Sequence, residues 1–260
     1  MLRPTTNCRN FRLHIAVQDQ VRAGHRRESM THFFALSPDV YACQFEAAII
    51  LLDVNADRYF RLTSEQTDWL HEICAASAPA QLSDGARRFA NRLVDRAVIA
   101  PAAHDQSTTT LLPITEARDS ILDLYSEEPF HTAFSHLVPL AYALISCWTL
   151  ERTGSFARVV RAVRKWKKNA LRRPHPPSAQ VHTLVADFHA LSPFLLTTDD
   201  ACRFRSLVLI KFLALFNIPT DWVFGVRLSP FGAHCWVEQD GLILNDHADN
   251  TKEYRRIMTV

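Results

Sequence analysis

The stretch from Ala233 to Asn245 leaves this chain the least conformational freedom. Two short apolar arms, Ala233 to Glu238 and Leu242 to Asn245, are separated only by Gln239-Asp240-Gly241, so they must fold back as an antiparallel hairpin. Loop length then decides which side chains meet. A two-residue turn at Asp240-Gly241 puts His234 opposite position 247 and points Asp246 to the other side of the sheet. A three-residue loop with Gly241 in the left-handed conformation instead sets His234 opposite Asp246 and Trp236 opposite Leu244, a sensible buried pair. A histidine–carboxylate contact needs this second register, which is therefore the one expected.

Cys202 precedes the hairpin. Thr197-Thr198-Asp199-Asp200 offers N-cap residues before the apolar run Leu207 to Phe216, which closes at Asn217-Ile218-Pro219. Cys202 thus falls in the first turn of a helix, where unpaired N–H groups and the positive dipole end favour thiolate over thiol. Asp199 and Asp200 oppose that effect, so an imidazole must supply much of the activation. Cys202, His234 and Asp246 are the residue types that nucleophilic acyl transfer requires. The thiolate attacks a carbonyl, the imidazole carries the proton, and the carboxylate fixes the imidazole's tautomer. Either Cys202 or His234 alone reads as an ordinary core residue; their joint placement argues for a site. Zinc binding by Cys202, His234 and Cys235 is the weaker reading, because adjacent strand residues point to opposite faces.

Gly225-Val226-Arg227, Pro230 to Glu238 and Leu244-Asn245-Asp246, with Cys202 followed by Arg205-Ser206-Leu207, resemble the signature of lasso-peptide leader peptidases. These are the B proteins of lasso-peptide biosynthesis, with a transglutaminase-like cysteine-protease fold. Cys235 departs from the pattern, since a small Ala or Ser is more usual there. It stands on the strand face away from His234, so Cys235→Ala is expected to be nearly silent.

Upstream, Val40 to Phe45, Ala48 to Leu52 and Arg58 to Leu62 read as strands, with a turn at Val54 to Asp57. Thr63 caps a helix in a capping box with Gln66, and Trp69, Leu70 and Ile73 form its apolar face. A second helix, about Ser83 to Ala97, carries Phe89, Leu93 and Val94 inward. Strands followed by helices describe a winged-helix-like module. Leu51-Leu52-Asp53, Tyr59-Phe60-Arg61-Leu62 and the Trp69 helix resemble the PqqD-like domain that recognises leader peptides. The resemblance implies that a leader adds a strand to the sheet edge, with Tyr59, Phe60, Arg61 and Trp69 as candidate contacts. A DNA-binding winged helix and purely structural packing stay open as alternatives.

The expected organisation is a disordered extension at 1–29, rich in arginine and without a signal-peptide core, or an artefact of start-codon choice. A PqqD-like recognition domain follows at 30–105, a linker at 106–117, and a transglutaminase- or papain-like cysteine peptidase domain at 118–260, making an α+β protein. Helical pattern resumes near Glu116 and continues through an apolar helix ending around Thr153; Leu137 to Leu150 is too short to span a membrane, contains Pro139 and reads as buried. Between Arg152 and Arg173 lie nine Lys or Arg and no acidic residue, with Phe156, Val159, Val163, Trp166 and Ala170 at helical spacing. That helix presents a solvated basic face, a docking surface for a partner or acidic leader, or a membrane-surface contact. A further helix from Ser178 leads to Leu191-Ser192-Pro193.

A net charge of +2 gives no argument for nucleic acid, and six Cys without C-x-x-C pairing suggest reduced thiols in a cytoplasmic protein. The resemblance implies no metal or organic cofactor. It implies a lasso precursor peptide as substrate and, beside the peptidase, a macrolactam synthetase resembling asparagine synthetase and an exporter. The alternative function is an acyltransferase or transglutaminase using the same Cys202, His234 and Asp246; a non-enzymatic binding module is a third class.

Overall fold

The structure, a computed structural model, describes residues 34–46, 48–76, 78–101, 119–124, 134–174, 176–195 and 202–260. The chain divides into two compact units, Met1–Leu112 and Pro113–Val260. The extension expected at 1–29, the linker at 106–117 and the capping segment 197–200 lie outside the described residues.

In the first unit, β1 (Phe34–Leu36), β2 (Val40–Gln44), β3 (Ile49–Asp53) and β4 (Arg58–Arg61) precede α1 (Ser64–Ala75), α2 (Asp84–Asp95) and β5 (Ile99–Pro101). Strands β2, β3 and β4 form an antiparallel sheet in that order, while β1 pairs with β5. Asp53 closes the β3–β4 turn, its Oδ1 accepting from the Asn55 and Ala56 amides at 2.9 and 3.0 Å. Helix α1 begins with the expected capping box: Thr63 Oγ1 accepts from the Gln66 amide at 3.2 Å, and Gln66 Oε1 accepts from the Thr63 amide at 3.1 Å. Ser83 caps α2 and also donates from its amide and hydroxyl to the Glu72 carboxylate, tying α2 to α1. Ile49, Leu51, Leu70, Ile73, Phe89 and Leu93 meet in the core. Val94, expected inward, is 39% exposed. It lies about 100° round the helix from Leu93, and Ala86, Phe89, Ala90 and Leu93 already fill the inward face.

The second unit contains β6 (Asp119–Ser120), α3 (Ile121–Leu124), α4 (Leu137–Thr153), α5 (Phe156–Ala170), α6 (Ser178–Leu195) and α7 (Cys202–Leu215). Then come β7 (Asp221–Leu228), β8 (Phe231–Gln239), β9 (Leu242–Ile243), α8 (Ala248–Lys252) and β10 (Arg255–Thr259). The sheet runs β10-β7-β8-β9-β6, antiparallel except where β6 lies parallel to β9. Helix α7 packs against α4, α5, α6 and β8, and Ser206 to Ile210, Phe212 and Leu213 are buried. Its C-terminus is closed by Asn217 in the left-handed conformation (φ 62°), with the Ile218 amide returning to the Leu213 carbonyl at 3.1 Å.

Two expectations for the middle of the chain need correction. The helical pattern from Glu116 is not one helix: Asp119 and Ser120 pair with β9, and α4 starts only at Leu137. That strand is held by a partner more than a hundred residues away, which local periodicity cannot register. Helix α4 is not buried all round. Leu140, Ala143 and Cys147 face inward, whereas Val138 is 78%, Tyr142 55%, Ile145 62% and Trp148 50% exposed. Because both faces are apolar, the sequence carries no amphipathic signal to separate them. Pro139 sits in the first turn of α4, where a missing N–H costs no intrahelical bond.

The basic helix α5 buries Phe156, Val159, Val160, Val163 and Ala170. One of its cations is structural: Lys167 pairs with Asp221 and donates to the Val260 carbonyl at 3.3 Å. Thr63→Ala removes the α1 cap and should cost the first unit about 1 kcal/mol. Hydrogen exchange checks this locally, since the Gln66 amide should lose protection while amides in β7 and β8 keep theirs.

Candidate active site

Strand β8 alternates so that His234 and Trp236 share one face while Cys235 and Val237 share the other. The imidazole lies between two aromatic rings, Trp236 at 5.9 Å and Tyr254 at 5.3 Å between centroids. Gly225 sits directly across from His234 on β7 and leaves them room, because a Cβ there would come within 2.7 Å of Tyr254 and 2.8 Å of the Trp236 ring. Trp236 is fixed in turn: its Nε1 donates to Glu238 at 2.6 Å, and the same carboxylate oxygen accepts from Arg256 at 2.7 Å.

The hairpin register is the two-residue one, contrary to expectation. Gln239 pairs with Leu242 and Glu238 with Ile243, around Asp240 (φ 49°) and Gly241 (φ 85°), both in the left-handed region that a tight turn of this kind requires. Trp236 therefore does not face Leu244; Val237 does, accepting from the Leu244 amide at 2.9 Å. His234 nevertheless reaches Asp246, with Nε2 hydrogen-bonded to Oδ2. The strand ends early, and that resolves the contradiction. The Asn245 side chain accepts from the Val237 amide at 2.8 Å, taking the place of the Leu244 carbonyl, while that carbonyl turns to His189 Nε2 at 2.8 Å. Freed from the ladder, the chain bends through residues 244–246 and brings Asp246 under the imidazole.

Asp246 is held from several sides. Its Oδ1 accepts from the His247 amide and from Asn250, both at 2.8 Å, and its backbone carbonyl accepts from Ser120 Oγ at 2.5 Å. Burial alone would push its pKa up, but hydrogen bonds from His234, Asn250 and the His247 amide hold the carboxyl below the usual range. On His234 burial also opposes charge, yet Asp246 and Cys202 together push the imidazole up to about 9. Since Nε2 faces Asp246, the nitrogen left for Cys202 is Nδ1.

Cys202 is the first described residue of α7 and is half-buried. A hydrogen bond from Cys235 is the largest influence on it; burial works against ionisation, and His234 favours it, with the thiol brought down to about 4. Between roughly pH 4 and 9, then, Cys202 is a thiolate beside an imidazolium. Sequence reasoning missed the part played by Cys235. It does turn away from His234, but α7 covers that face of the sheet, and its Sγ lies 3.7 Å from Cys202 Sγ. Burial and the adjacent thiolate push Cys235 far up, so it keeps its proton and donates it. Its position beside His234 on a strand facing the helix of Cys202 was the available signal. Among the described residues, no group of three or more His, Cys, Asp or Glu is arranged to hold a metal ion.

The four candidate leader contacts do not gather on one surface. Phe60 and Trp69 pack on the core of the first unit, and Trp69 lies 5.8 Å from Phe89. Strand alternation turns Tyr59 and Arg61 to the other face of β4, which is an edge of the three-stranded sheet.

The acidity of Cys202 is directly measurable. Its alkylation by iodoacetamide, followed by mass spectrometry of the labelled peptide, should stay fast at neutral pH and fall only as the pH drops through about 4. Cys235→Ala and His234→Ala should each move that fall to higher pH, because each removes a group that stabilises the thiolate. A wild-type profile already falling just below pH 9, like an ordinary thiol, would refute the arrangement.

Residues 150–259 match the family described as the transglutaminase-like superfamily. The chain is also similar to the microcin J25-processing protein McjB of Escherichia coli, with 27% identity over 113 residues. Those residues are 44% of this chain and 52% of that protein, so the match spans about half the length of the relative. No solved structure matches the chain. Among the described residues, no helix is long and apolar enough to cross a membrane. Neither match shows the PqqD-like likeness of the first unit. Residues 150–259 thus form a transglutaminase-like domain, and the similarity to McjB supports the resemblance to the lasso-peptide B proteins.

Proposed function

We propose that this chain is a cysteine peptidase that removes the leader from a ribosomally made lasso-peptide precursor in the cytoplasm. The observation that carries the reading is the unbroken run from Asp246 through His234 to a thiolate at Cys202. The similarity to a microcin-processing protein supports the choice of substrate.

In this mechanism Cys202 Sγ attacks the carbonyl carbon that joins leader to core. Asp246 accepts a hydrogen bond from Nε2–H and keeps His234 oriented, so Nδ1–H points at the reacting centre and protonates the departing amine. The leader remains as a thioester on Cys202. His234, now neutral, takes a proton from water, the hydroxide attacks the thioester, and the thiolate is expelled. The product that leaves first is the core peptide with a free N-terminal amine, which a partner macrolactam synthetase would couple to a side-chain carboxylate. The first unit would hold the leader by adding it as a strand along the free edge of β4, near Tyr59 and Arg61.

Incubating the full chain with a synthetic precursor and following both fragments by mass spectrometry tests the reading. Cys202→Ala should abolish cleavage and leave precursor binding intact; turnover by that variant would end the assignment. Asp246→Asn should retain binding and lose on the order of 10⁴ in turnover, the precedent for an equivalent change in a serine protease. Incorporation of an added amine in place of water would convert the reading to acyl transfer. For recognition, titration calorimetry should show an isolated fragment 30–105 binding the leader segment, and no affinity there while the intact chain binds would refute the division of labour.

A further inference from the structure

The site holds two thiols of opposite character. Cys202 is half-buried and ionised, whereas Cys235 is buried and keeps its proton, and their sulfur atoms are 3.7 Å apart. Acyl transfer needs only the first, since His234 and Asp246 already complete the proton path. The other described cysteines lack this character: Cys43, Cys74 and Cys147 are buried, and burial pushes Cys74 and Cys147 up to about 12. We propose that Cys202 and Cys235 form a reversible oxidation site, in which a hydroperoxide oxidises Cys202 and Cys235 resolves it to an intramolecular disulfide that masks the nucleophile.

The chemistry balances in two steps. The Cys202 thiolate attacks one oxygen of hydrogen peroxide and the O–O bond breaks. Cys202 becomes a sulfenic acid, oxidised by two electrons, while the other oxygen leaves as hydroxide and is protonated to water, with the imidazolium of His234 at hand as donor. The Cys235 sulfur then attacks the Cys202 sulfur. An S–S bond forms, the S–O bond breaks, and hydroxide leaves to become a second water with the proton from Cys235. Two thiols and one peroxide thus give one disulfide and two waters. A short approach of the sulfurs suffices, from 3.7 Å to the ~2.05 Å of a disulfide. Resolution by Cys235 keeps the nucleophile from advancing to the irreversible sulfinic acid, and any dithiol reductant restores it. The inference goes beyond the peptidase reading and depends only on the thiolate, not on the substrate.

The test uses the full chain with hydrogen peroxide and no peptide substrate. After quenching, the protein is unfolded in dimedone and iodoacetamide and digested with trypsin, which places Cys202 and Cys235 on separate peptides. Wild type should yield a Cys202–Cys235 linked peptide that dithiothreitol abolishes, with iodoacetamide labelling of Cys202 lost after peroxide and regained after reduction. Cys235→Ser should give no link and should accumulate the dimedone adduct at Cys202. A dimedone adduct or sulfinic acid at Cys202 in wild type, without the linked peptide, would overturn the proposal whatever the variant does. Cleavage of precursor without linkage would leave the peptidase standing alone; linkage without cleavage would leave the oxidation site standing alone.

Discussion

The C-terminal unit depends on the burial of a helix with apolar residues on every side. Leu207, Leu209, Phe212 and Leu213 of α7 have essentially no contact with solvent. Helices α4, α5 and α6 and the strand β8 all pack against it. A segment so enclosed cannot turn or slide without opening several interfaces at once. Its first residue is therefore placed with the accuracy of a core, although that residue is itself half-exposed. Cys202 is positioned by packing.

From that helix a polar thread runs into the sheet. Ser206 of α7 accepts from the Asn245 side chain at 2.9 Å and donates to the Cys235 carbonyl at 3.4 Å, while Asn245 in turn accepts from Val237. One buried hydroxyl thus joins the helix carrying the thiol, the strand carrying the imidazole and the loop carrying the carboxylate. Each group is satisfied, as a polar cluster in a low-dielectric interior must be.

What the sequence made legible was local. The Thr63–Gln66 capping box, the second helix beginning about Ser83, the Asn217 stop and the hairpin itself all rest on residues a few positions apart, and the structure has each of them. Cys202 and His234 were readable for a similar reason, since each stands on an element that local pattern defines, whereas Asp246 lies in the bend beyond β9. The register argument went wrong because it assumed that β9 continued to Asp246. Asn245 cuts the ladder short by substituting a side-chain amide for a backbone carbonyl, and no alternation of apolar residues signals that substitution. The exposed stripe on α4, the strand β6 and the contact of Cys235 with Cys202 were hidden because each is decided by distant packing partners.

His189 gives the site a further property. It lies in α6, donates from Nε2 to the Leu244 carbonyl and accepts from Arg205 on Nδ1 at 3.2 Å, so it bridges the two only as a neutral ring. Burial is the main reason it resists protonation, with its own titration brought down to about 4; Arg205 adds to that and the Leu244 carbonyl opposes it. The brace is consequently inert to proton concentration over the range in which thiolate and imidazolium coexist. At the acid end the two limits converge. Near the pH at which Cys202 regains its proton, His189 gains one too, loses its capacity to accept from Arg205 and sets two cations against each other behind the loop. Acid would then break the Arg205 contact while it protonates Cys202, and the bond from His189 to Leu244 would hold the loop alone.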